Sequence, residues 1–230
     1  MPKRPQVLIV RYLLLLFGLF LLSLGILFSV KARLGVSAWT VFHLGIAQHI
    51  GWTQGQVSQA VGLLIVLFSY FLGIKPAMAT VMNLVLVGGT YDLLDAANVL
   101  PNPTALVMRC LFLVVSVLIM SAGTALYISV KMGAGPRDGL MLALTQRSGW
   151  RIGVVRNSIE LGVLVAGVIL GGPFGLGTLF CALAIGPALE ANMHLLRTAT
   201  KLWHLESYLS VMESKRRRKT AGQSLAAADN

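Results

Sequence analysis

Long apolar stretches alternate with short polar links along most of the chain. A helix needs about 20 apolar residues to cross about 30 Å of hydrocarbon, and five or six stretches approach or exceed that length. The first contains one charged residue, Arg11, which lies near enough to its end for the side chain to reach the membrane surface. With all six counted, the pattern predicts an all-α membrane protein with spans at 7–30, 57–74, 77–100, 105–130, 154–170 and 176–196.

Two further apolar segments, 36–50 and 137–148, are too short for comfortable crossing. As helices they would extend only about 18–23 Å at 1.5 Å per residue. Each follows a turn that contains glycine, and Pro136 suits the first position of the second helix because its missing N–H costs nothing there. We therefore expect two half-helices or re-entrant helices.

Composition supports a membrane protein, since 56% of the 230 residues are apolar and 12% are charged, whereas about 25% of a soluble domain is charged. These values exclude an ordinary cytosolic enzyme, a disordered chain and a nucleic-acid-binding module. Cys110 and Cys181 both lie in apolar stretches, which excludes a disulfide framework and a zinc site. No metal and no cofactor are predicted, and the first apolar stretch is too long for a cleaved signal peptide.

The formal net charge of +11 lies largely at the chain ends and in short loops. With six spans, and with each short helix entering and leaving on one side, the N-terminus, Lys75, residues 131–151 and the C-terminal tail share one face. Eight full spans would instead place most of the basic loop residues outside. Because basic residues concentrate on the cytoplasmic side, six spans with both termini cytoplasmic are favoured.

The chain resembles itself at an offset of 98 residues. In that register six glycines coincide without a gap, and Trp52, Gln48 and Thr80 fall on Trp150, Gln146 and Thr178. Each copy would hold three spans and one short helix. Because three is an odd number of crossings, the second copy must be inverted relative to the first, as in many transporters. This predicts two tandem inverted repeats, at 1–100 and 101–198, followed by a cytoplasmic tail at 199–230.

The glycines of this pattern are typical of helix packing, because small residues let backbones approach each other in membranes. The segment around Gly175 and Gly177 is not a phosphate loop, since no Gly-Lys-Ser/Thr follows it. Asp92 and Glu190 occupy matching positions of the two copies, which suggests a symmetric, structural role. The predicted structural residues are Gly35, Gly133, Pro136, Gly171, Gly175, Gly177, Asp92 and Glu190.

Ionisable residues inside the predicted spans lie mostly in the second copy. They are costly in a membrane, so each is a candidate functional residue. Arg137 and Asp138 occupy the first turn of the second short helix, where free N–H groups carry a partial positive charge. Arg156 and Glu160 are four residues apart and can pair on one helix face. The four residues form either a substrate or proton site, or an ion-pair network that holds the short helix, or both.

Catalytic chemistry has little support in the sequence. His43 and His49 are six residues apart and lie on different helix faces, so they do not suit a shared metal ion. No Cys is close to a His along the chain, and no G-x-S-x-G motif occurs. We therefore predict that the protein is not an enzyme.

The tail is predicted to lie on the membrane surface. Leucines recur at helical spacing from Leu202, and a basic run follows at Lys215, Arg216, Arg217, Arg218 and Lys219. This pattern indicates an interfacial amphipathic helix and a patch that binds anionic lipid of the cytoplasmic leaflet. A topology anchor is preferred over a specific docking site for a lipid or a protein.

Several motifs resemble a known family. They are GAGPRDGLM at 133–141, GW-x-x-G-x-x-R-x-x-x-E at 149–160, LGG-x-x-G-x-GT at 170–178 and A-x-x-IGP at 182–187. In this order they resemble the YczE/YyaS/YitT family of bacterial membrane proteins, in particular its YczE-like branch, over about residues 15–195. In the first copy, Ala38 and Thr40 stand where the family usually has proline and aspartate. The resemblance implies a polytopic protein of the bacterial inner membrane and names no substrate.

Two functional hypotheses follow. The first is a small-solute transporter with a site between the copies, lined by Arg137, Asp138, Arg156 and Glu160. The alternative is a non-transporting membrane accessory or scaffold protein whose basic face and tail recruit a cytoplasmic partner. The sequence predicts no oligomeric state.

Overall fold

The described part of the chain is almost entirely helical. The structure, a computed structural model, describes residues 5–133, 135–196 and 198. Over these residues it contains eight helices and no strand. They are α1 (Pro5–Ala32), α2 (Ala38–Ile50), α3 (Gln54–Phe71), α4 (Met78–Ala96), α5 (Leu106–Ser129), α6 (Pro136–Ser148), α7 (Ile152–Ile169) and α8 (Leu176–Leu196).

Five of the eight helices are long and apolar enough to cross a membrane, namely α1, α3, α5, α7 and α8 within the described part of the chain. The predicted span at 77–100 corresponds to α4, which does not meet that standard. Asp92 and Asp95 lie in its last turns and lower its hydropathy. Both have local partners, since Asp95 pairs with Lys31 at 2.8 Å and Asp92 accepts hydrogen bonds from the start of α3.

The two short helices, α2 and α6, are each 13 residues long and end in the same way. Gly51 and Gly149 follow them in the left-handed conformation, at φ 68° and 71°, which satisfies the last carbonyls without a Cβ penalty. Pro136 opens α6, as the sequence predicted, and Gly135 precedes it in an extended conformation. The sequence placed the start of α2 two residues too early, because Val36 and Ser37 belong to the turn.

The offset of 98 residues relates helix boundaries and turn conformations as well as glycines. Both bounds of α2 recur in α6, and both bounds of α3 recur in α7, at this spacing. Arg33 and Lys131 share the same rare positive φ, at 52° and 53°. Such agreement at non-glycine positions is unusual, because positive φ is uncommon outside glycine.

Helices α1 and α5 form the centre of the molecule and run antiparallel. Gly18 lies against Gly123, whereas Gly25 lies against Met120 and Ser116, so the contacts move in opposite directions along the two helices. A Cβ atom on Gly123 would lie 2.6 Å from the carbonyl oxygen of Gly18. The absence of side chains at this crossing therefore allows the two backbones to touch. The adjoining core includes Leu15, Leu19, Leu27, Ala79, Met120 and Tyr127.

Helix α2 packs on the C-terminal end of α7. Gly167 leaves no room for a side chain beside the backbone of Phe42, and Gly172 is equally close to the carbonyl of Val41. Gln48 donates from Nε2 to the carbonyl of Leu170 at 2.6 Å. At the contact that matches this one after the offset of 98 residues, α6 packs against α3.

Most of the predicted structural glycines lie at close backbone contacts. Gly35 faces Thr178 and Gly175, and the N–H of Gly177 donates to the carbonyl of Leu34 at 2.7 Å. These contacts join the turn before α2 to the start of α8. Gly133 lies against Ala77, and Gly171 lies beside the Gln48 side chain.

The acidic pair at matching positions does not share one environment. Asp92 accepts from Thr53 Oγ1 at 2.6 Å and from the N–H of Gly55 at 2.9 Å, which stabilises the start of α3. Glu190 is exposed and forms no ion pair within the described residues. The partner also differs, since Arg151 occupies the position that matches Thr53.

By compactness the chain divides into residues 1–192 and 193–230. All eight helices begin in the first unit. In the second, Thr198 Oγ1 donates to the carbonyl of His194 at 3.0 Å. The predicted amphipathic segment and the basic run at 215–219 lie outside the described residues.

Candidate functional site

A cavity of about 460 Å³ lies inside the first unit. The starts of both short helices line it, through Ser37 to Trp39 of α2 and Gly135 to Asp138 of α6. Its remaining walls come from the long helices of both halves. The cavity brings together all four charged residues predicted from the sequence, since Arg137, Asp138, Arg156 and Glu160 all line it.

The Arg137 side chain is half-buried and lies over an aromatic ring. Its guanidinium carbon is 4.6 Å from the centre of the Trp39 ring, a cation–π arrangement. No carboxylate oxygen of the described residues lies within 4 Å of its guanidinium nitrogens. A charge in such a place is costly unless it is paired, so Arg137 has an unused capacity to bind an anionic group.

Asp138 has a local partner from a spanning helix. Tyr127 of α5 donates its hydroxyl to Asp138 Oδ2 at 2.6 Å. The carboxylate also lies in the first turn of α6, where the free N–H groups favour negative charge. The charge of Asp138 is therefore stabilised from two sides.

Arg156 and Glu160 pair within α7. The distance from Arg156 Nε to Glu160 Oε1 is 3.1 Å, and the two side chains are 46% and 38% exposed. In the described residues, this pair forms no ion pair with either charged residue of α6. The four charges therefore share a cavity but do not form one closed ion-pair network.

Sequence reasoning missed three residues of this site, namely Trp39, His43 and Tyr127. His43 is 2% exposed, lines the cavity and lies beside Trp39, with ring centres 6.2 Å apart. His43 Nδ1 has no hydrogen-bond partner within the described residues. By contrast, His49 Nδ1 lies 2.9 Å from the carbonyl of Gly45 in its own helix.

One sequence signal for Trp39 was available. Trp39 and Arg137 are 98 residues apart and therefore occupy matching positions of the two predicted copies. Positions that lie near an axis relating two copies meet each other, so this pair could have been expected to touch. No comparable pattern pointed to Tyr127, because Ser29 occupies its matching position.

Comparison with known proteins agrees with a membrane protein. Residues 9–194 match the model of a "Family of unknown function (DUF6198)". The chain is 35% identical over 190 residues to the "Uncharacterized membrane protein YczE" of Bacillus subtilis, which covers 82% of this chain and 87% of that protein. It is 34% identical over 183 residues to an "Uncharacterized protein" of Haemophilus influenzae, which covers 80% of this chain and 83% of that protein.

A third relative, the "Uncharacterized protein YyaS" of Bacillus subtilis, is 25% identical over 185 residues, covering 80% of this chain and 92% of that protein. No solved structure matches the chain. The resemblance to YczE-like proteins is thus confirmed. The described part of the chain also contains five helices that are apolar enough to span a membrane. The chain is a membrane protein that belongs to the DUF6198 family.

Proposed function

We propose that the protein is a small-solute transporter of the bacterial cytoplasmic membrane, with its site in the cavity between the two halves. The observation that carries this proposal is the cavity itself, in which the starts of both short helices and all four predicted charged residues meet. Transporter sites are commonly formed by interrupted helices at the interface between repeats. The proposed site has the same arrangement, because the starts of the short helices α2 and α6 both line it.

The proposal includes two inverted repeats. The antiparallel α1 and α5, together with helix bounds that recur after 98 residues, support it. Each copy then contributes three long helices and one short re-entrant helix, and both termini lie in the cytoplasm. Such a pair of copies can rock against each other and open a central site to either side in turn.

The charges favour a functional site over a purely structural network. Arg137 stacks on Trp39 without a carboxylate within 4 Å in the described residues, and the pair on α7 is partly exposed. A network that only held α6 in place would be expected to pair its charges across helices. In this proposal Arg137 and the start of α6 hold an anionic group, and Glu160 or Asp138 carries a coupling proton. The solute moves unchanged, so no enzymatic step is involved.

The first test uses Arg156→Ala and Glu160→Gln. Loss of a hydrogen bond to a charged group costs about 1.5–3 kcal/mol, so we expect solute-driven currents to fall about 10- to 100-fold while insertion and yield stay normal. Purified protein in liposomes on a solid-supported membrane would be exposed to carboxylates, amino acids, sugars and amines. Charge movement and proton uptake, the latter followed by a pH-sensitive dye inside the liposomes, are both recorded on solute addition, because one anionic group that moves with one proton carries no net charge.

Arg151→Ala serves as the matched control, because Arg151 is exposed just before α7 and does not line the cavity. Its currents should equal those of the unmodified protein. If Arg156→Ala and Glu160→Gln both fail to fold, the pair is structural and this part of the proposal is lost. Normal currents in both variants would also contradict it.

A second experiment separates transport from recruitment of a partner. Residues 202–230, which include the basic run proposed to bind anionic lipid, would be deleted. A transporter should keep most of its solute-driven current, because the cavity-lining residues in the described part of the chain all lie before this segment. A scaffold protein would show no such current in either form and would lose its cellular phenotype on deletion.

A further inference from the structure

We infer that the solute is an organic monocarboxylate with an apolar group, bound with its carboxylate at Arg137 and His43 and its apolar part against α1 and α8. This inference deepens the proposed transport function and rests on it. It assigns a chemical class to a ligand for which the family supplies none.

Arg137 supplies the charge that selects an anion. The carboxylates at the start of α6 and on α7 already have partners, since Asp138 accepts from Tyr127 and Glu160 pairs with Arg156. The Arg137 guanidinium instead lies over the Trp39 ring, with its carbon 4.6 Å from the ring centre, and no carboxylate of the described residues lies within 4 Å of its nitrogens. A planar guanidinium with free N–H donors matches the geometry of a carboxylate.

His43 is an independent indication of a missing ligand. Its ring is almost completely buried, lines the same cavity and lies next to Trp39, yet Nδ1 has no hydrogen-bond partner within the described residues. Buried polar atoms without partners are uncommon in folded proteins. A neutral imidazole has one N–H, so the His43 ring, which lines the cavity, can offer a second donor to the ligand.

The remaining wall explains why a small inorganic anion is not the best fit. Helix α1 contributes Leu22 and Ile26 to the cavity, and α8 contributes Ile185 and Leu189. An apolar group of the ligand would displace water from these side chains, which favours binding. The volume of about 460 Å³ falls within the range of about 300–1,000 Å³ typical of small-molecule sites.

Trp39 makes the inference directly testable. In a full-length variant with Trp52, Trp150 and Trp203 changed to phenylalanine, Trp39 is the sole source of tryptophan fluorescence. The purified variant would be titrated with acetate, butyrate and hexanoate, and with hexanamide and hexylamine as neutral and cationic matches. Thermal stabilisation of the protein by each compound gives a second readout.

We expect saturable fluorescence changes with hexanoate. Affinity should fall about fourfold for each methylene removed, which corresponds to about 0.8 kcal/mol per buried methylene. Hexanamide and hexylamine should give no saturable change. Equal binding of hexanamide and hexanoate would overturn the inference, as would tighter binding of hexylamine.

Variants identify the binding groups. Arg137→Gln should weaken hexanoate binding about 10- to 100-fold, with binding measured as thermal stabilisation of the protein by hexanoate. Arg147→Gln, at the exposed end of the same helix, should leave binding unchanged. His43→Asn should weaken binding by a smaller factor than Arg137→Gln, and His49→Asn should have no effect. If Arg147→Gln weakens binding as much as Arg137→Gln, the assignment of Arg137 is wrong.

The outcomes also separate this inference from the proposed function. Hexanoate binding without any solute-driven current or proton uptake would support the ligand class and contradict transport. Currents driven by sugars or amines, with no hexanoate binding, would support transport and overturn the ligand class.

Discussion

Replacing Gly123 by leucine is expected to prevent assembly of the helical core. Gly123 faces Gly18 where α1 and α5 cross, and a Cβ atom there would lie 2.6 Å from a carbonyl oxygen and 2.7 Å from the backbone nitrogen of Leu22. Backbone atoms cannot move aside as a flexible side chain does, so the two helices must separate. Overpacking costs about 1–3 kcal/mol in ordinary cores, and this position should reach or exceed the upper value.

The measurement is the yield of monodisperse protein after extraction, together with its apparent melting temperature. A change of 1 kcal/mol corresponds to about 2–4 °C in a protein of this size, so a fall of at least about 6 °C, or loss of the protein, is expected. Gly162→Leu is the matched control, since Gly162 lies in α7 with nothing within 4 Å of the position that a Cβ atom would occupy. Equal stability of the two variants would contradict the close crossing.

Replacing Gly35 by alanine is expected to have the second largest effect. Gly35 has φ 112°, a conformation that residues other than glycine rarely adopt, and its Cβ would lie 2.7 Å from the backbone nitrogen of Thr178. Strain and overpacking each cost about 1–3 kcal/mol. The variant should also lose the hydrogen bond from Val36 N to Thr178 Oγ1, which joins this turn to α8 at 3.2 Å.

Gly51→Ala separates the two causes. Gly51 also has a positive φ, 68°, but nothing lies within 4 Å of its Cβ position. The Gly51→Ala variant should therefore lose only the stability that the strained backbone conformation costs, about 1–2 kcal/mol. Thermal unfolding of both variants in the same detergent is the measurement. If Gly35→Ala unfolds at the temperature of Gly51→Ala, the close approach of the turn to α8 does not contribute to stability.

The sequence was most informative about features that depend on local periodicity. Apolar runs located the long helices, and glycine turns with Pro136 located α2 and α6 to within two residues. It was weaker on α4, where two aspartates near one end reduce the hydropathy although each has a partner in the fold. Partners that lie far apart along the chain cannot be inferred from periodicity.

The candidate site was partly predictable for the same reason. Charge within apolar surroundings identified Arg137, Asp138, Arg156 and Glu160, and all four line one cavity. Tyr127 was missed because tyrosine is not unusual in an apolar helix, and His43 was considered only as a metal ligand with His49. Their importance arises from a hydrogen bond between α5 and α6 and from a buried nitrogen of a cavity-lining residue that has no partner within the described residues. Both depend on how the helices pack.

The stacking of Arg137 on Trp39 bears on why the two halves form one polypeptide. The two residues stand 98 positions apart and touch. If two identical half-length subunits met in this way, each would place the same side chain against itself, and neither two arginines nor two tryptophans make a cation–π pair. Under the proposed duplication, fusion of the two copies into one chain removes that restriction, because each side of the contact can then mutate independently of the other.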